Sequence, residues 1–526
     1  MSAIRLSFLC LSSTAVILTT SLMVGGCSPK DKGPSAKKSV PGAELSLKSP
    51  TPKAFAKHFE VPNRKVSDIE AKQALKELNL SQSSDEGLSW AKSSGKAGNY
   101  NYTDLAAKSD DGTLTIDKAE LFGVHMDGET ATFDRADFSN IKIYNEDDDV
   151  TVTFDALSLA RPTPAMAKSI INSLTNIKDI DDLDLENEDG DMGFGALSMT
   201  DMAIKSAELN GKVETLIWGE DEKSGTTDML LDDVNMTLKG RQGESGQLTL
   251  GEFSATGLRS NLLKGIGSPT AILGKFGSTG KNFDEVKLGD LSFDSSSVSI
   301  STAGFAGKAI EKGGVTTIKQ ASEPFKIMLK DQPKNPQAAQ AFAMVKELGF
   351  DELVFQSSQT QIIDSNTDTV TVKDGVVTMK DGFNLDYNYS ASGLNELQKN
   401  LKDNGGQNDM SAALSTMTLN GVQFRLEDKS IVDRGLKLAA QFQGTTPDTI
   451  KNQIKIASAG ASLFAGTGIE AALMGEMGTA LSEFFENGGT LSLVVNPQEP
   501  VAMSQLSNLK SSDLTLKELG FSAKVE

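Results

Sequence analysis

The chain is 526 residues long and carries 71 acidic against 51 basic side chains, a formal net charge of −20. Phosphate neutralisation needs a basic face, so this balance argues against nucleic acid as a partner. Two cysteines, two histidines, two tryptophans and five tyrosines leave little material for thiolate metal sites, histidine catalysis or aromatic sugar platforms.

Arg5 is the only charge before Lys30, and the apolar run Leu6 to Val24 is diluted by serine and threonine. That is the charged start and apolar middle of a secretory leader, too polar for a permanent span. Gly25 and Gly26 then precede Cys27. Val24-Gly-Gly-Cys27 resembles the bacterial lipobox. The resemblance implies that residues 1–26 are removed and that Cys27 becomes a diacylated, palmitate-bearing N-terminus held to a membrane. Two acyl chains anchor stably where one does not. Ser28, not Asp, follows the cysteine, which the resemblance reads as sorting to the outer membrane, facing the periplasm of the cell envelope. Processing takes Arg5 and Cys10 away, leaving 500 residues, a charge of −21 and Cys27 as the last cysteine. No disulfide forms within such a chain, so its body is held by burial alone, and no cofactor is expected.

Residues 27–62 read as a Pro/Ser/Lys-rich tether, with Pro29, Pro34, Pro41, Pro50 and Pro52 keeping it extended. Its lysines suit either anionic headgroups or water. Residues 63–330 follow as a strand-rich region. Ser67 and Glu70 stand at capping-box spacing before the apolar stripe Ile69, Ala71, Ala74, Leu75 and Leu78. From Tyr100 the period changes to two, in runs such as Leu114–Ile116, Ala131–Phe133, Ile141–Ile143 and Val150–Phe154. Pro162 and Pro164 introduce a short helix with Met166, Ile170, Leu174 and Ile177 on one face. Strands resume from Phe194 to about Ser301.

Residues 331–526 form an α+β region. Asn335, Pro336 and Gly349 bracket a helix with Ala339, Phe342, Val345 and Leu348 inward. After several strands, helices are expected over Ile431–Gln443, Pro447–Ile456 and Ile469–Phe485, then a strand over Leu491–Val495. The fold class is α+β and strand-rich: long twisted antiparallel sheets, curved or sandwich-like, with several packed helices mostly in the C-terminal part. No later stretch is apolar enough to span a bilayer; Ile456 to Leu481 carries Glu470 and Glu476.

One strand pattern recurs: apolar, polar, apolar, two polar, apolar, polar, apolar. It occurs at 114–121, 131–138, 248–255, 286–293 and 417–424, where chance predicts roughly one or two matches. Asn420-Gly421 reads as a hairpin turn. In the others the strand either turns back or runs on, and running on needs a bulge or bend to keep its apolar set on one face. A sixth match, 514–521, reads instead as a short helix capped by Ser512 and ending at Gly520. Lys346-Glu-Leu-Gly-Phe350 recurs as Lys517-Glu-Leu-Gly-Phe521, each a helix end, glycine cap and strand start.

These residues carry two resemblances. Leu348-Gly-Phe-Asp-Glu-Leu353, Leu419 to Asp428, Pro447 and Gly489 to Pro497 resemble an uncharacterised family of proteobacterial envelope proteins, over about the last third of the chain. The strand pattern is more loosely similar to AsmA-like repeating-groove proteins, which implies an apolar, lipid-accommodating groove. This chain departs from them in having an acyl anchor where they have an N-terminal membrane helix.

The chemical inventory is thin. His58 and His125 have no Gly-x-Ser-x-Gly elbow and no His-Glu-x-x-His to work with. Gly274 to Lys281 misses the phosphate-loop spacing, and Asn282 stands where Ser or Thr would bind magnesium. The acidic segment Asp179 to Asp191 fails the EF-hand template, because alignment on Gly190 puts Leu185 first and Ala196 last. Its candidate cation ligands, Asp184, Glu186, Glu188, Asp189 and Asp191, equally suit a solvated loop. The expectation is a non-enzymatic envelope lipoprotein that binds or scaffolds lipid or another envelope component. The alternatives are a structural partner of other envelope proteins and a hydrolase with an unrecognised site.

Overall fold

The structure, a computed structural model, describes residues 45, 47–84, 87–109, 112–146, 148–175, 193–239, 245–259, 281–330, 336–397, 416–464, 469–507 and 514–526. Cys27, Ile177, Asn335, Ser512, the Gly274 to Gly280 loop and the acidic candidates Asp184, Glu186, Glu188, Asp189 and Asp191 lie outside the described residues. Strand-rich α+β architecture is observed, with helices concentrated toward the C-terminus. The described chain divides into a first compact unit, residues 48–259 with 285–296, and a second, residues 281–284 with 297–526.

The first unit is an antiparallel meander. Its strands are β1 (Leu88–Ser89), β2 (Lys92–Lys96), β3 (Asn99–Ser109), β4 (Gly112–Phe122), β5 (His125–Asp127), β6 (Thr130–Thr132), β7 (Arg135–Asn145), β8 (Val150–Pro162), β9 (Phe194–Lys205), β10 (Leu209–Asp221), β11 (Thr226–Lys239), β12 (Ser245–Arg259) and β13 (Glu285–Ser295). β3, β4 and β7 through β13 pair in succession. β5 and β6 form a separate ribbon between β4 and β7. Thus the pattern match at 131–138 is not one strand: Ala131 and Thr132 end β6, and Arg135 begins β7.

The other matches in this unit run on through a bend. In β4, Leu114 and Ile116 are buried, and so are Ala119 and Leu121, although strict alternation would put the two pairs on opposite faces. The register stays in step across the break, Leu105 facing Ile116 and Thr103 facing Lys118, so nothing is inserted. The side-chain direction is reset by one left-handed residue on alternate strands: Asp104 (φ 54°), Asn140 (φ 53°), Asp201 (φ 47°), Asp233 (φ 45°) and Asp290 (φ 46°). Asp and Asn tolerate this conformation better than other side chains bearing a Cβ. The ladders align the five with Asp117, Asp155, Glu214 and Gly251 on the intervening strands. A single crease therefore crosses the sheet, its polar side chains pointing away from the apolar set. Asn140 Nδ2 donates to Asp117 at 2.8 Å and Lys212 pairs with Asp201 at 2.8 Å, which relieves part of the like-charge repulsion along the row.

Helix α1 (Asp68–Glu77) is capped by Ser67, whose hydroxyl accepts from the Glu70 N–H at 3.2 Å. Ala71, Ala74, Leu75 and Leu78 are buried as expected, whereas Ile69 is 83% exposed because it falls outside the arc that meets the core. In α2 (Pro164–Thr175) the inward face centres on Ala167 and Ile171, one position on from Met166 and Ile170. Both helices join the core made by β3, β4, β7 and β8.

In the second unit, β14 (Val298–Lys312) pairs with both β15 (Val315–Ser322) and β16 (Phe325–Leu329), which act as two halves of one strand. Pro324, without an N–H, separates them. Next come α3 (Pro336–Glu347), β17 (Glu352–Asp364), β18 (Thr369–Met379), β19 (Phe383–Ser392) and β20 (Thr418–Asp428), the four strands pairing in order. Asn420-Gly421 lies inside β20, where the register shifts, and is a bulge rather than a hairpin turn. Helices α4 (Ile431–Phe442), α5 (Pro447–Phe464) and α6 (Ile469–Asn487) cover β20, β21 (Thr490–Val495) and β23 (Phe521–Val525) through Leu436, Ile450, Phe484 and Leu491. Short elements β22 (Val501–Ala502), α7 (Met503–Ser507) and α8 (Leu516–Leu519) complete the unit. Thr515 and Glu518 form a full capping box on α8, and Gly520 at φ 58° closes it, so the short helix starts at Thr515. Gly349 at φ 78° ends the turn after α3 in the same way, but the segments then part: Phe521 opens β23, whereas the Phe350 N–H bonds back to the Val345 carbonyl at 3.2 Å and β17 starts only at Glu352.

Candidate functional site

The crease gives the first unit one continuous apolar face. Directly opposed residues on neighbouring strands share a face, so the ladders can be followed as rows. One row beside the crease reads Tyr102, Ala119, Phe138, Leu157, Met199, Leu216, Leu231, Phe253, Leu288 from β3 to β13. The next reads Tyr100, Leu121, Ala136, Leu159, Leu197, Trp218, Met229, Ala255, Val286. On the far side of the crease, Leu105, Ile116, Ile141 and Phe154 continue as Met202, Val213, Val234, Leu250 and Leu291. An outer row adds Leu114, Ile143, Val152, Ile204, Met236, Leu248 and Phe293. No charged residue enters any of the four rows.

The face is covered unevenly. At the β3–β8 end it is closed by α1 and α2 with β5–β6, and the packed core there ends at Leu197 on β9. Tyr102 belongs to it: its hydroxyl donates to the Leu80 carbonyl at 3.0 Å, and burial pushes the phenol well above its ordinary pKa. From β9 onward burial is mixed: Val213, Val234, Leu250, Ala255 and Leu288 are buried, whereas Met199, Leu216, Trp218, Met229, Leu231, Leu248 and Phe253 are only half-buried. Trp218 meets Phe194 edge-on, with ring centroids 6.4 Å apart.

The opposite face is polar and carries a strap. Residues Pro52–Phe59 form a 3-10 helix whose Phe55 is buried against Ile217 and Leu230. His58 Nε2 lies 3.1 Å, and Lys57 Nζ 3.0 Å, from Asp228 Oδ2, while Asp228 Oδ1 accepts from the Gly257 N–H at 2.9 Å. Burial pushes the Asp228 carboxyl up, but the Gly257 N–H, Lys57 and His58 outweigh it and hold the group below the usual carboxylate range. Arg161 donates to the His58 carbonyl at 2.6 Å and Arg135 to the Phe59 carbonyl at 3.1 Å. Gly219 leaves room for the imidazole: a Cβ there would sit 2.3 Å from His58 Cγ.

Both histidines therefore have structural surroundings. His58 is buried under the strap, and His125 is buried with Nδ1 2.7 Å from the Gly123 carbonyl. Neither ring is hydrogen-bonded to a serine hydroxyl among the described residues. Among the described residues no group of three or more His, Cys, Asp or Glu could hold a metal ion. No described helix is long and apolar enough to cross a membrane. The strap's partner Asp228 and the aligned rows escape a reading along the chain. The signal that could have found the rows is the polar pair in the middle of the repeated strand pattern, which marks the crease.

A family profile described as "Uncharacterized protein" matches residues 376–526, from the middle of β18 to the end of the second unit. No curated protein and no solved structure matches the chain.

Proposed function

We propose that the chain is a membrane-anchored envelope lipoprotein whose first unit accommodates acyl chains along its apolar face, without catalysing a reaction. The observation that carries this reading is the set of four uncharged apolar rows, in which Met199, Leu216, Trp218, Met229, Leu231, Leu248 and Phe253 stay half-buried beside buried neighbours such as Val213, Val234, Leu250 and Leu288. Scattered apolar side chains are ordinary on a protein surface, but contiguous apolar rows mark a binding surface. Their chemistry selects the ligand class: with no charge and no buried donor array, the face offers hydrocarbon contact only. Similarity of the strand pattern to AsmA-like groove proteins points the same way. The lipobox-like Val24 to Cys27 supplies the anchor in this reading, with removal of residues 1–26, acylation of Cys27 and outer-membrane placement facing the periplasm.

The test is a titration of the unacylated Cys27→Ser chain with a fluorescent fatty acid. Saturable binding is expected, and Leu216→Asp with Leu231→Asp should weaken it by more than about tenfold, since each buries a charge against the chain. Equal binding by wild type and the double variant would remove the face as the site. If lipid failed to bind and crosslinking in envelopes captured a specific protein on this face, the assembly reading would replace the lipid one.

A further inference from the structure

We propose that a cleft in the second unit is a binding site for an uncharged, hydroxyl-rich ligand of one or two sugar rings. The cleft has a volume of about 470 Å³, within the range of small-molecule sites. It stands independently of the lipid reading, which concerns the first unit.

Its origin is the break at Pro324. β15 pairs with β17 as far as Ala321 opposite Ser358, and β16 resumes at Phe325 opposite Phe355. Between them the proline takes the chain out of the ladder and uncovers Gln356. Register then lines up Gln356 with Thr378, Thr378 with Asn384, and Asn384 with Glu427 on four successive strands. An amide, a hydroxyl, an amide and a carboxylate thus share one face, at the spacing of roughly 5 Å between strands. The first three line the cleft.

These groups have capacity to spare. The side chains of Gln356 and Thr378 have no hydrogen-bond partner among the described residues. Asn384 Nδ2 donates to Glu427 Oε2 at 2.9 Å, which fixes the amide and turns its carbonyl oxygen to acceptor duty. The site accordingly offers donors and acceptors side by side, the pattern that vicinal hydroxyls satisfy, each being donor and acceptor at once. Pro324 and Val354, which shares the face of Gln356, supply an apolar wall for the C–H face of a ring, so no aromatic platform is needed.

The charges at the rim argue against an anion. Lys380 pairs with Glu352 at 3.0 Å and Lys429 with Glu427, so each ammonium already has its carboxylate, and Asp381 adds a further negative charge. A phosphate or sulfate would have to compete with both pairs. An uncharged polyol would not.

The experiment is saturation-transfer NMR and titration on the full Cys27→Ser chain, with glucose, N-acetylglucosamine and glycerol as probes and inorganic phosphate as the charged comparison. Saturable binding of at least one sugar is expected. Thr378→Val and Gln356→Leu should each weaken it about tenfold, the effect of one lost hydrogen bond in such a site. Both positions lie in strands and are half-buried, and Val and Leu suit a strand, so both variants should fold; far-UV circular dichroism verifies it. No sugar binding, sugar binding unchanged in both variants, or phosphate binding displaced by none of the sugars would each overturn the proposal.

Discussion

The crease makes a quantitative prediction at Asp233. Its φ of 45° places it in the left-handed region, and its side chain is exposed on the polar face, so neither burial nor packing complicates a substitution there. A residue with a Cβ costs roughly 1–2 kcal/mol in this region, Asp at the lower end and a β-branched residue at the upper end. Asp233→Val should therefore destabilise the first unit by about 1 kcal/mol. Asp233→Gly removes the Cβ penalty but adds a backbone-entropy cost of about 0.5–1 kcal/mol, so it should stay within about 0.5 kcal/mol of wild type. Asn235→Val provides the comparison: it is on the same strand, exposed and of ordinary backbone conformation, and valine there loses only an exposed 3.3 Å hydrogen bond from Gln247, so it should cost less than about 0.5 kcal/mol. Urea unfolding followed by tryptophan fluorescence reads the effect cleanly, because Trp90 and Trp218 both belong to the first unit. If valine were tolerated equally at 233 and 235, left-handed residues would not be what bends the sheet, and the alignment of its apolar rows would need another cause.

Three further outcomes follow from the strap and the anchor. Gly219→Ala should force His58 off the sheet, costing about 1–3 kcal/mol as overpacking does and loosening the strap backbone so that trypsin cuts faster after Lys57; unchanged digestion would show that the strap is not seated on this glycine. The depressed Asp228 carboxyl stabilises the fold at pH values above its unfolded pKa of about 3.9, and that contribution is lost as pH falls through the lower folded value. The stability difference between wild type and Asp228→Asn should thus be full at pH 7 and shrink below about pH 4, as read by urea unfolding; a difference independent of pH would exclude this carboxylate as its source. Cys27→Ser should leave the urea transition unchanged while the protein moves from the membrane to the soluble fraction; full retention on membranes would mean that the tether or body binds them directly.

Much of the architecture is written locally. Period-two runs mark the strands, Gly349, Gly488-Gly489 and Gly520 end helical turns, and the helices beginning at Ile431, Pro447 and Ile469 start where their sequence signals place them. What local signals could not resolve is what a polar interruption does. Asn-Gly is the strongest two-residue turn signal, yet Asn420 and Gly421 keep negative φ inside β20, and the extra residue shows only in the register against β19. Asp104, Asn140, Asp201, Asp233 and Asp290 are unremarkable one by one; they form a crease only once register aligns them. Compositional texture shifts near residue 330, where the first helix after a long run of strands begins, whereas contacts place β14–β16 with the second unit, since strands of the two units look alike in sequence. The His58–Asp228 contact spans 170 residues and the Gln356–Thr378–Asn384 row spans three strands, distances over which no motif spacing operates.

The claim that the apolar face takes acyl chains can be tested at one side chain. Trp218 sits in a row of that face, half-buried between Leu197 and Met229, at the margin of the helix-covered core, whose Phe194 it meets edge-on. In a Trp90→Phe, Cys27→Ser chain it is the sole tryptophan, and phospholipid brominated on its acyl chain quenches indole fluorescence only at contact. Saturable quenching by the brominated lipid is expected, and none by its unbrominated counterpart. Trp218 emission that stays constant through the titration would contradict the claim.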